Sequence, residues 1–156
     1  RFSVYLDTQM RALSVRNASQ TYVRRQNDTR AIIHILLKYF RTLAGKNAES
    51  LRTLIQTNGL EPEISQAAQT GTIGRKMEAL QTLSYMDTQA SLSTLHARLG
   101  AKNKYVRLTA ARGLTRRQAL VYAPDIIHSI HEAFPTDSAI LKDILFQHRH
   151  ILKYFL

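Results

Sequence analysis

The chain has no cysteine and no tryptophan, and only 3 prolines and 6 glycines in 156 residues. Without cysteine there is no disulfide and no thiolate metal site, so the redox compartment is left open. Scarce, isolated glycines and prolines argue against a many-turned β-fold and for helices. Long apolar runs are missing too. The longest, Ala31 to Phe40, is interrupted by His34 and Lys38. It is about half of a membrane span, and no stretch reads as a transmembrane helix or a signal peptide. Acid is in short supply: 11 Asp and Glu face 22 Lys and Arg, a formal net charge of +11.

What is present is ordinary for a folded chain, with 44% hydrophobic and 21% charged residues. The length suits one domain or one short array with a sizeable core. A basic surface attracts nucleic acid, anionic lipid or acidic protein without choosing among them. The charge is gathered in blocks. Residues 1–46 hold nine Lys and Arg against Asp7 and Asp28, and residues 75–117 hold nine against Glu78 and Asp87. Such blocks predict local patches rather than a uniform coat.

Residues 1–27 carry Phe2, Tyr5, Leu6, Met10 and Leu13 at near-helical spacing, then turn polar. They predict an N-terminal helix that is either an end cap or a stalk reaching a membrane segment or partner. Asp28 or Thr29 offers an oxygen to cap the next helix, which is apolar nearly all round from Ile32 to Leu43 and reads as buried. Gly45 suits its end. Leu51, Leu54 and Ile55 form the inner face of a short helix stopped by Asn58-Gly59. Glu61-Pro62-Glu63 opens another, with proline and acids both favoured in a first turn.

Beyond Thr70-Gly71-Thr72 an internal repeat emerges. On a helix expected over 73–86, Lys76, Ala79, Leu80 and Leu83 align with Arg107, Ala110, Ala111 and Leu114 at a constant offset of 31 residues. Between them a helix capped at Asp87-Thr88 turns Ala90, Leu92, Leu95 and Leu99 inward. A counterpart follows with Ala123, Pro124, Ile127 and Ile130 inward. Asp137 caps a last helix bearing Ile140, Ile144, Leu145, Ile151, Leu152 and Phe155. Paired alanines such as Ala110 and Ala111 let a second helix approach closely.

The run Val106-Arg107, Ala110-Ala111, Leu114, with Pro124 near the start of the next helix, resembles the HEAT repeats, particularly the short bacterial kind. The likeness spans roughly residues 73–156, and residues 29–70 look like hairpins of the same general type. It implies an all-α fold, an α-α superhelix of stacked antiparallel hairpins over 28–156. The chain departs from the family at Asn103, where HEAT repeats usually carry aspartate. The last repeat has Ile144 and Leu145 in place of the alanine pair. In the family the arginine at position 107 is mostly structural, bonding the neighbouring turn.

The strongest functional signal is the basic cluster Arg98, Lys102, Lys104, Arg112, Arg116 and Arg117. Stacked second helices make a binding surface in solenoids, and Arg112 lies off the Ala110/Leu114 face. The competing expectation is a solvated rim that only aids solubility. His128 and His131 share one helix near Asp125 and Glu132, and a zinc site there needs His148 or His150 from the next helix. Surface histidines are the commoner outcome, so no metal is expected. His96, beside Leu95 and Leu99, reads as partly buried and hydrogen-bonded. Tyr105 beside Lys104 and Arg107 has a packing role, or stacks on a base.

Phosphate loops, His-Glu-x-x-His and nucleophile elbows are missing, which predicts no enzyme activity and no cofactor. Together with the resemblance, these residues predict a scaffold that binds an acidic partner protein through its concave face. Bacterial HEAT domains of this kind often sit beside a membrane segment, and positive segments stay inside. The expected placement is cytoplasmic, with any tether to the inner face of a membrane lying outside this chain. The rival expectation is a nucleic-acid binder akin to HEAT-like DNA glycosylases, disfavoured by the missing tryptophan and catalytic carboxylate. A chromophore-lyase relative is disfavoured further, since neither cysteine nor an acid-histidine arrangement supplies that chemistry. The apolar C-terminus, Ile151 to Leu156, also permits homo-oligomers.

Overall fold

Three consecutive helix starts, at Thr72, Thr88 and Asn103, are set by side-chain oxygens. Thr72 accepts from the Arg75 amide at 3.3 Å, Thr88 from Ser91 at 3.1 Å, and Asn103 from Tyr105 at 2.9 Å and Val106 at 3.2 Å. Each satisfies an amide that the first helical turn leaves unbonded. Thr72 and Asn103 stand 31 residues apart, the spacing of the repeat itself. The computed structural model describes residues 26–147.

Among the described residues all regular structure is helical. The elements are α1 (Gln26–Thr42), α2 (Lys46–Thr57), α3 (Glu61–Thr70), α4 (Ile73–Leu83), α5 (Gln89–Arg98), α6 (Lys104–Arg116), a 3-10 turn (Leu120–Tyr122), α7 (Ala123–Ala133) and α8 (Ser138–Gln147). No helix among them is long and apolar enough to cross a membrane. Gly45 and Gly59 hold positive φ, +60° and +63°, where a Cβ would be strained.

The helices pack in two rows. Along one, α1 touches α4, α4 touches α6 and α6 touches α8; along the other, α3 touches α5. α5 reaches α7 where the Ser129 hydroxyl donates to the Leu99 carbonyl at 2.6 Å. One apolar cluster runs through both rows from Ile32 to Ile144. Ala79, Leu80 and Leu83 of α4 and Ala110, Ala111 and Leu114 of α6 are fully buried at its centre. The close approach has a further cause in Gly113, where a Cβ would come within 2.7 Å of Leu95 Cδ2 and 3.2 Å of Ser84 Cβ.

Several expectations need correction. Asp28 and Thr29 lie inside α1 rather than capping it, and the Thr29 hydroxyl instead donates to Glu63 at 3.3 Å. α1 is not buried all round, since His34, Lys38 and Arg41 form an exposed strip along it. On α5 the inward small residue is Ser91, not Ala90, which is exposed. Ser91 is tolerated inside because its hydroxyl is bonded at both ends, to Thr88 and to Arg117. On α7 the buried residues are Ala123, Ile126, Ser129 and Ile130; Pro124 is exposed and Ile127 half-buried. α4 stops at Leu83, and Tyr85 and Met86 belong to the turn that follows. Residues 1–25 of the helix expected over 1–27, and the apolar residues Ile151, Leu152 and Phe155, lie outside the described residues.

Candidate functional site

Positions one repeat apart meet along the row α4, α6, α8. Gln81, Arg112 and Asp143 are equivalent by the 31-residue offset, and so are Tyr85, Arg116 and Gln147. Arg112 pairs with Asp143 at 3.5 Å, both side chains 51% exposed. Arg116 lies over the Tyr85 ring at 4.4 Å from its centroid. Between these contacts opens a cleft of about 500 Å³. Its walls include Ser84, Thr109, Arg112, Thr115, Arg116 and Asp143.

Tyr85 is fixed from behind. Its ring stacks on Phe40 of α1 with centroids 5.1 Å apart and planes 4° from parallel. Its carbonyl accepts from Arg52 Nε at 2.6 Å. A ring stacked on one face, on a backbone that is itself tied down, makes a rigid platform for a guanidinium, which favours the π-face. Arg112 and Arg116, one helical turn apart on α6, thus share one face.

Thr115 in the cleft wall departs from the habit of five other helical threonines. Thr53, Thr70, Thr82, Thr94 and Thr109 each donate to the carbonyl four residues back, at 2.8–3.1 Å. Thr115 is 2% exposed, and its hydroxyl has no hydrogen-bond partner among the described residues. A buried hydroxyl without a partner is costly, by about 1–3 kcal/mol, so each one calls for a physical explanation.

The six basic residues expected to act together do not form one patch. Arg112 and Arg116 line the cleft. Arg117 turns to the opposite side, donating to Ser91 Oγ at 2.7 Å and to the Thr88 carbonyl at 3.3 Å. Burial lowers its guanidinium pKa below the ordinary arginine value, against the upward pull of Asp87 and Glu61. It ties α6 to the start of α5. Arg98, on α5, is half-buried, and its Nε lacks a partner among the described residues. Lys102 is exposed in the turn before α6. Lys104 stands at the far end of α6, with Nζ 5.3 Å from the Tyr105 ring and 5.5 Å from that of Phe134.

Arg107 donates through Nε to the Ala101 carbonyl and pairs with Glu132 at 3.4 Å. It therefore fastens the turn before its own helix, while Asn103 is spent on capping. Tyr105 is 51% exposed and meets Phe134 edge-on at 6.3 Å. His96 is half-buried, stacks on Tyr122 at 4.3 Å and bonds Asp125 at 2.8 Å. That contact takes Asp125 away from His128, which meets Glu132 at 3.6 Å. Among the described residues no three His, Asp or Glu side chains gather as metal ligands; His148 and His150 lie outside them.

A second cleft of about 370 Å³ lies between α1 and α4 on the same row of helices. There His34 meets Glu78 at 3.3 Å and Arg41 donates to Gln81 at 2.8 Å. Sequence reasoning read Phe40 only as part of a buried helix and gave Tyr85 and Gln81 no part in a site. The 31-residue offset carries the signal for Gln81 and Tyr85, which are the repeat counterparts of Arg112 and Arg116; nothing in the sequence marks Phe40. No protein family, no curated protein and no solved structure matches this chain.

Proposed function

We propose that this protein is a non-enzymatic scaffold of the HEAT type, its two helix rows winding as a short α-solenoid, which binds an acidic segment of a partner protein. The binding face is the row α1, α4, α6, α8. The observation that carries this reading is the pair Arg112 and Arg116, both exposed on one cleft and held from opposite sides by Asp143 and Tyr85. Rows of equivalent positions give such a surface its length, and preformed side chains lower the entropy lost on binding. The exposed cations Lys38 and Arg41 continue the same face onto α1. A cytoplasmic placement, with any membrane tether outside these residues, goes with this reading because positive segments stay on that side.

Duplex nucleic acid is served less well by this arrangement. Affinity there comes from about 6–10 phosphate contacts laid along one track. Arg117 and Lys104 are instead engaged elsewhere, and half-buried Arg98 on α5 is not part of the cleft lining. The reading is tested by fluorescence anisotropy of the full chain with an aspartate- and glutamate-rich peptide and with a DNA duplex, each at two salt concentrations. Arg112→Glu with Arg116→Glu is expected to abolish peptide binding. Tighter binding of the duplex, unchanged by that double substitution, would sink the proposal.

A further inference from the structure

The cleft beside α6 holds more donors than one carboxylate can use. We propose that it receives a phosphate monoester on a serine or threonine of the partner segment. Arg112 and Arg116 donate to the phosphoryl oxygens, and the Thr115 hydroxyl supplies a further donor. This inference rests on the reading that the face binds an acidic partner, and it names the acid.

Three features of the cleft argue for phosphate. First, Arg116 spends its π-face on Tyr85 at 4.4 Å, which leaves its N–H edges for acceptors in the guanidinium plane. Second, Arg112 is only loosely engaged: Asp143 stands at 3.5 Å, and both side chains are half in solvent. Exposed pairs of this kind are weak, so a dianion can take the place of Asp143. A phosphomonoester brings nearly two charges and three strong acceptor oxygens, more than a glutamate side chain offers. Two arginines one turn apart match that demand through paired N–H···O bonds.

The third feature is Thr115, on the same helix as the two arginines and in the cleft lining with Ser84, whose hydroxyl is buried and without a partner among the described residues. Its helical neighbour Thr109 returns its hydroxyl to the Tyr105 carbonyl at 2.8 Å. Thr115 does not use that outlet. A volume of about 500 Å³ accommodates a phosphorylated side chain together with flanking backbone. The carboxylates Glu78 and Asp143 beside Lys38, Arg41, Arg112 and Arg116 on this face suit a short segment rather than a long polyanion.

The test uses the full chain and three degenerate peptide libraries that differ only at one fixed position: phosphoserine, glutamate or serine. Retention is measured with inorganic phosphate and duplex DNA as competitors. The phosphoserine library is expected to be held about tenfold more tightly than the glutamate library. Inorganic phosphate should displace it. Arg112→Gln and Arg116→Gln should each remove about tenfold, and Thr115→Val a smaller but measurable part, with circular dichroism unchanged. Equal retention of the phosphoserine and glutamate libraries overturns the phosphate assignment and leaves the acidic-partner reading standing. If neither library exceeds the serine control, both fall. Displacement by duplex DNA at lower concentration than by phosphopeptide, lost in Arg112→Gln, overturns the peptide assignment in favour of nucleic acid.

Discussion

Arg116 of α6 rests on the ring of Tyr85, 4.4 Å from its centroid, one repeat removed in sequence. Behind it Tyr85 stacks on Phe40, so three side chains join α6 to α1 across the turn that follows α4. Tyr85→Phe keeps both contacts and is expected to leave stability and binding close to wild type. Tyr85→Leu loses the aromatic pair and the cation–π contact, costing about 1–2 kcal/mol together. It should also weaken binding of acidic peptide, because Arg116 is no longer held. Urea unfolding of both variants, read beside peptide anisotropy, checks this.

Gly113 sets the spacing of three helices. A methyl group there meets Leu95 Cδ2 at 2.7 Å, and Leu95 is fully buried and has no room to retreat. Alanine gains about 1 kcal/mol of helix propensity over glycine, while overpacking a dense core costs about 1–3 kcal/mol. The second effect wins. Gly113→Ala is expected to lower stability by about 1 kcal/mol, and adding Leu95→Val should recover part of it. Additive losses in the double variant would contradict the contact.

Arg112 and Arg117 sit five residues apart and do opposite work. Arg117→Met removes two hydrogen bonds from a half-buried cation to Ser91 and Thr88, at a cost of about 1–3 kcal/mol. Arg112→Met should stay within about 0.5 kcal/mol of wild type, as exposed substitutions usually do. For peptide binding the order should reverse. Thermal unfolding and anisotropy on the same two variants decide it.

The contrast between those arginines shows what the sequence could reveal. The seam of α4 and α6 was legible because Val106, Ala110, Ala111 and Leu114 repeat at helical spacing, and the offset of 31 residues locates their counterparts. Arg117 lies one turn beyond Gly113, so the helical period already sends it to the packed side; neighbourhood in sequence with Arg116 hid this. Ile126 displaced Ile127 because α7 is rotated until Ser129 reaches the Leu99 carbonyl. The pairing of Tyr85 with Phe40 had no local signal, since it joins helices with two others between them in the chain. The cap at Thr88 was readable, being decided within three residues; Asn103 caps α6 by the same local geometry, although the sequence marked it only as a departure from aspartate.

Ser129 is 4% exposed and its hydroxyl bonds the Leu99 carbonyl at 2.6 Å, joining α7 to the end of α5. Ser129→Ala leaves that carbonyl unpaired and is expected to destabilise by about 1 kcal/mol. Amide exchange should then quicken in α7 while α4 keeps its protection, because α4 is packed independently of this bond. Equal loss of protection in both helices would show that the rows do not open separately.

The most direct measurement of the whole account is a ¹H–¹⁵N NMR titration of the full chain with an acidic, phosphoserine-containing peptide. Shifts centred on the Arg112 and Arg116 side-chain Nε–H groups and on the amides of Ser84, Thr115 and Asp143 are predicted. Shifts confined to Lys102, Lys104 and Tyr105 at the other end of α6, with the cleft silent, would contradict it.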